Sequence, residues 1–141
     1  MIAGREQIEA LIPHAGPMCL LDELLAWDAE HIQCLARSHR DKGNPMCAGG
    51  KLAAICGVEY AAQAMALHGR LTVQAGTSGA GYLASVRDLT CHVARLDDLG
   101  DDLVIEARRL MGDEARVVYE FSVSAGRTPV LEGRAAVVLE A

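Results

Sequence analysis

The chain has 141 residues, the length of one domain and enough to bury a core without disulfides or a metal. With 51% hydrophobic and 23% charged residues it is not a disordered chain, and a formal net charge of −6 argues against a nucleic-acid binder, whose contact face is basic. Aromatics are only 4%, which leaves Ala, Leu and Val to build the core, and 11 of the 13 cations are Arg.

Residues 5–12 predict a short helix that ends at Pro13. Met18 to Trp27, rich in Leu, predicts a strand, and His31 to Arg37 alternates with Ile32, Cys34 and Ala36 on one side. With the turn at residues 28–30 the two make a hairpin. Residues 38–50 read as a loop, marked by Gly43-Asn44-Pro45 and Gly49-Gly50. Lys51 to His68 predicts a helix that is apolar nearly all round, hence buried on all sides. Its small residues, among them Ala53, Gly57, Ala61 and Ala64, allow close backbone approach. After a Gly/Ser/Thr loop at 69–80 come four strand candidates: Gly81 to Ala94, Leu103 to Met111, Ala115 to Ser124 and Val130 to Glu140. The third carries Val117, Tyr119, Phe121 and Val123 on one face, and the fourth Leu131, Ala135, Val137 and Leu139. Hairpin, buried helix and antiparallel strands give an α+β class and a single domain over residues 1–141. A sheet wrapped around one long helix with no polar face describes a hotdog fold.

Cys19, Cys34, Cys47, Cys56 and Cys91 are odd in number and have no CxxC spacing, so a reducing, cytoplasmic setting is expected. No signal peptide is read at the N-terminus. The longest apolar stretch, 52–67, contains Glu59 and Gln63 and falls short of the roughly 20 residues of a membrane span.

Three segments carry a resemblance. Leu11-Ile12-Pro13-His14-Ala15-Gly16-Pro17-Met18-Cys19-Leu20-Leu21-Asp22 resembles the opening of the 3-hydroxyacyl-acyl-carrier-protein dehydratases. Gly57-Val58-Glu59-Tyr60-Ala61-Ala62-Gln63-Ala64 resembles their E-x-x-A-Q-A helix, and Gly81 to Arg87 the strand that follows. The nearest branch is the dehydratase-like hotdog proteins of aryl polyene pigment clusters. The resemblance implies a hotdog dimer acting on acyl thioesters carried by phosphopantetheine, with an acyl-carrier protein as partner and no resident cofactor.

Dehydration of a 3-hydroxyacyl thioester needs a base for the α-proton and an acid for the leaving hydroxyl. It also needs donors that polarise the carbonyl, such as a helix N-terminus. Glu59 fits the acid role, being the only acidic residue between Lys51 and His68; the other reading is a helix with one exposed edge there. Gln63, four residues on, shares its face and can bond Glu59 or a neighbouring backbone group. The resemblance implies a loop His fourteen residues before the acid, but that position is Pro45, between Asn44 and Met46. The family's Pro-Gly pair is Ala53-Ala54 here. His14, in the matched opening, and His39 are the substitutes, each with the alternative of a His that holds its loop. His31, His68 and His92 read as surface or strand-edge residues. Gly57, Gln63 and Pro45 are expected near the substrate. Cys47 and Cys56 read as small packing residues, and no metal-ligand spacing is present.

The arginines suit an acidic, phosphate-bearing partner. Arg87 and Arg95, placed with Arg108, Arg109 and Arg116 on the strands after the helix, are the expected docking pair, against scattered solvated strand edges as the alternative. Three readings follow: a dehydratase using Glu59 as acid with His14 or a partner residue as base, a non-catalytic or half-site subunit paired with an active hotdog subunit, and an acyl-thioesterase. A sheet with an open edge predicts a homodimer or heterodimer.

Overall fold

The elements run β1 (Ala3–Gly4), α1 (Arg5–Leu11), β2 (Glu23–Trp27), β3 (His31–Ala36), α2 (Gly57–Thr72), β4 (Gly81–Cys91), β5 (Leu103–Gly112), β6 (Arg116–Ala125) and β7 (Thr128–Leu139) in a computed structural model. It describes residues 2–12, 16–72, 81–113 and 115–139. Short 3-10 turns at Gly16–Met18, Ser38–Arg40 and Ala54–Cys56 link them.

All seven strands join one antiparallel sheet in the order β1-β2-β3-β5-β6-β7-β4. Strand alternation decides which face turns inward. On β6, Val117, Tyr119, Phe121, Val123 and Ala125 are buried, while Arg116 and Glu120 are exposed. Leu103, Ile105 and Ala107 on β5 and Leu131, Ala135 and Val137 on β7 continue the inner face. Against it lies α2, which buries Tyr60, Ala61, Gln63, Ala64, Met65, Leu67 and His68. The sheet wraps the helix, as the apolar pattern predicts: this is the hotdog fold.

Four expectations are corrected. The Met18–Trp27 strand is shorter, because Met18 closes a 3-10 turn and Leu20 gives its backbone N–H and C=O to side chains instead of a ladder. The long helix starts at Gly57, not Lys51: Ala53 bridges to Arg95, and Ala54 donates to the Ala94 carbonyl. It runs on to Thr72, past His68. Nor is it buried all round. Val58, Glu59, Ala62 and Ala66 form a half-buried stripe, and Ile55 before them is 53% exposed, because the sheet covers only the opposite side of the helix.

Asp22, in the matched opening, is structural. Its carboxylate accepts the Arg37 backbone N–H at 2.6 Å and faces the Arg5 guanidinium at 3.5 Å, tying α1 to the end of β3. No helix among the described residues is long and apolar enough to cross a membrane.

Candidate functional site around Glu59 and Gln63

The helical spacing of four brings Glu59 and Gln63 together on α2. The Gln63 amide is buried and used at both ends: Nε2 donates to the Met18 carbonyl at 2.8 Å and lies 3.4 Å from the Glu59 carboxylate, while Oε1 accepts the Leu20 N–H at 2.9 Å. One side chain therefore holds the helix acid and the Met18–Leu20 segment in a fixed relation. Glu59 itself is half-buried, on the open stripe of α2.

A second network docks the loop after β3. Ser38 Oγ donates to the Leu20 carbonyl at 2.7 Å and lies 2.8 Å from the Tyr60 hydroxyl. With its proton given to Leu20, Ser38 accepts from Tyr60, and Asn44 Nδ2 donates to the Tyr60 oxygen at 3.1 Å. Asn44 is buried, also donates to the Ser38 carbonyl, and accepts the Met46 N–H. Next to Pro45, the loop therefore has an amide fully engaged in holding its shape. Pro45 beside it is exposed in the turn.

Gly57 serves close packing. A Cβ there would lie 2.5 Å from Leu131 Cδ2, so any side chain would push α2 off β7. Its N–H is already donated to the Ala54 and Ile55 carbonyls. His14 lies outside the described residues, in the segment just before Gly16.

The remaining histidines divide. His39, in the loop, is buried, and its Nε2 donates to the Asp101 carbonyl at 3.0 Å. His68 corrects its reading as a surface residue: it is fully buried in α2. Nε2 lies 2.8 Å from the Asp28 carbonyl, which only accepts, so that nitrogen carries the proton and Nδ1 accepts from the Tyr119 hydroxyl at 2.7 Å. Burial pushes the pKa of both histidines down and that of Tyr119 up to about 12. The sequence hid His68 because its partners come from β6 and the β2–β3 turn; its place on the inward side of α2, one residue past Leu67, was the available signal. His92 is exposed, 3.3 Å from Glu132.

The docking pair separates. Arg87 is exposed on β4, facing away from α2. Arg95 lies after β4, not on a strand, and is chelated by Asp97 through Nε at 3.0 Å and through Nη2. That hydrogen bonding holds the Asp97 carboxyl well below its usual range. Among the described residues no group of His, Cys, Asp and Glu is arranged to hold a metal ion.

The family model for ApeP dehydratases matches residues 6–140. Among solved structures, the dehydratase heterocomplex ApeI:P from Xenorhabdus doucetiae is similar with a TM-score of 0.80 and 25% identity, covering 95% of this chain and 91% of that one. Thioesterase superfamily member 2 from zebrafish follows at a TM-score of 0.68 and 13% identity, covering 96% and 95%. A mutant thioesterase from Pseudomonas aeruginosa has a TM-score of 0.66 and 16% identity, covering 98% and 94%. At those two identities the likeness is one of fold. Comparison with curated proteins finds no match. A match over nearly the whole length, on a sheet wrapped round a helix that presents a Glu–Gln pair, places this chain in the ApeP-like dehydratase family.

Proposed function

We propose that the chain is a subunit of a hotdog dehydratase that converts 3-hydroxyacyl thioesters, presented by an acyl-carrier protein, to enoyl thioesters. The observation that carries the reading is the Glu59–Gln63 pair, with the Gln63 amide fixed by two backbone bonds and turned to the carboxyl. A base removes the α-proton, the β C–O bond breaks, and Glu59 gives its proton to the leaving oxygen, which departs as water. The N-terminal end of α2 favours the negative charge that develops on the thioester oxygen. Gly57 contributes the close approach of α2 to β7, and Pro45 a rigid turn at the rim. The substrate brings its own phosphopantetheine, so no resident cofactor is needed.

The base is His14 or a residue of a second subunit. The half-site version of this reading is favoured by Pro45, which stands where the resemblance implies a base, and by its neighbour Asn44, whose amide is taken up in holding the loop. The open stripe of α2 and the unpaired edge of β4 are the surfaces on which a second hotdog subunit, a copy of this chain or a different one, completes the site.

The test is product analysis of a 3-hydroxyacyl-carrier substrate, with the chain alone and with a candidate hotdog partner. Enoyl thioester from either sample supports the dehydratase, and its appearance only with the partner selects the half-site form. Release of free carrier thiol in place of enoyl product overturns the reading in favour of a thioesterase.

A further inference from the structure

Gln63 stands four residues after Glu59 and three after Tyr60, so the three side chains rise from neighbouring rows of α2. They are joined a second time outside the helix. Gln63 accepts the Leu20 N–H, Ser38 donates to the Leu20 carbonyl, and Tyr60 donates to Ser38 Oγ at 2.8 Å. Asn44 Nδ2 donates to the Tyr60 oxygen at 3.1 Å and to the Ser38 carbonyl at 2.9 Å, while its Oδ1 accepts the Met46 N–H at 2.9 Å. A closed circuit thus leaves the Glu59–Gln63 pair through Leu20, passes through the loop, and returns to the helix one residue after Glu59.

Two features separate Tyr60 from a packing residue. It is fully buried, and a Phe would fill the same volume without the cost of desolvating a hydroxyl. That hydroxyl is spent on Ser38 and Asn44, both of the loop after β3. The donors also run in one direction, from Asn44 to Tyr60 to Ser38 to Leu20, so removing the Tyr60 oxygen strips a partner from the residue on either side. What the circuit holds is the turn at residues 44–47. Its Pro45 is exposed, its Met46 and Cys47 are half-buried against the core, and the Cys47 N–H closes it on the Asn44 carbonyl at 3.1 Å.

We infer that Tyr60 is a positioning residue for the substrate: through Ser38 and Asn44 it fixes the 44–47 turn against the helix that carries Glu59, and so sets how tightly the acyl thioester is held at the rim that Pro45 forms. This rests on the dehydratase reading above. Glu59 keeps the proton transfer, so losing the Tyr60 hydroxyl weakens substrate binding and leaves turnover of the bound substrate in place.

The experiment pairs steady-state kinetics of enoyl thioester formation by the assembled protein with hydrogen exchange of the Met46 and Cys47 amides, for wild type, Tyr60→Phe, Ser38→Ala and the double variant. Expected in each single variant is a KM about tenfold higher with kcat within about twofold, and about tenfold faster exchange of the two turn amides. The double variant is expected to be no worse than the worse single one, because both break the same circuit. A hydroxyl that only adds stability would lower the thermal midpoint and leave the KM of the folded protein unchanged. That result overturns the inference, as does a loss confined to kcat or an unchanged exchange rate in the turn. A wild type that yields no enoyl product, alone or with a partner subunit, while Tyr60→Phe still loosens the turn, supports the hold of Tyr60 on the turn and overturns the dehydratase reading instead.

Discussion

Leu20 has both backbone groups bound by side chains from distant parts of the chain, Gln63 on its N–H and Ser38 on its carbonyl. Replacing Gln63 with Leu strands the Leu20 N–H and the Met18 carbonyl together, and an unsatisfied buried group costs about 1–3 kcal/mol. We expect Gln63→Leu to lose about 2–4 kcal/mol in urea unfolding, by the same per-group cost. A second residue-scale prediction concerns pH. Burial holds His39 and His68 below the 6.5 of an unperturbed histidine, so the unfolded chain binds more protons than the folded one under acid conditions. Stability is therefore full above pH 6.5 and falls as the pH drops below it; thermal midpoints between pH 8 and pH 5 check this, and His68→Gln should flatten part of the slope. At this scale local spacing is legible and distant contact is not. The Glu59–Gln63 pair follows from a spacing of four, whereas His68 meets Tyr119 across 51 residues of sequence.

At the scale of elements, α2 and β7 are set by one missing side chain. A Cβ on Gly57 meets the Leu131 side chain at 2.5 Å, and overpacking of this kind costs about 1–3 kcal/mol. Gly57→Ala is expected to destabilise by that amount, and Leu131→Ala in the same chain to recover part of it. Additive losses in the double-mutant cycle would contradict the contact. The strands were legible because alternation is a local signal: Val117, Tyr119, Phe121 and Val123 share the buried face as their period of two requires. Boundaries were less so. Apolar composition extends the helix back to Lys51, but Leu52 is held by Asp97 and the Leu96 N–H, and Ala53 by Arg95, contacts that composition does not carry.

At the scale of the whole molecule, two surfaces stand open among the described residues: the outer edge of β4, an 11-residue strand at one end of the sheet, and the half-buried stripe of α2 through Ala62 and Ala66, with the exposed Ile55 just before it. A long edge strand beside apolar surface is a pairing site. We expect the chain to sediment as an assembly at micromolar concentration, alone or with a second hotdog subunit, and Ala62→Glu to shift it toward monomer with its fold intact. The fold was readable from the sequence because one apolar helix admits few arrangements of the remaining strands. Of the proposed site, Glu59 and Gln63 are legible from their helical spacing, whereas the base that the proposal needs is one that periodicity does not reach. The most direct measurement of the central claim is the rate of enoyl thioester formation from a 3-hydroxyacyl-carrier substrate by the assembled protein carrying Glu59→Gln. Loss of the acid should lower kcat by about 100-fold or more with the assembly and its thermal midpoint preserved; a rate equal to that of the wild type would contradict it.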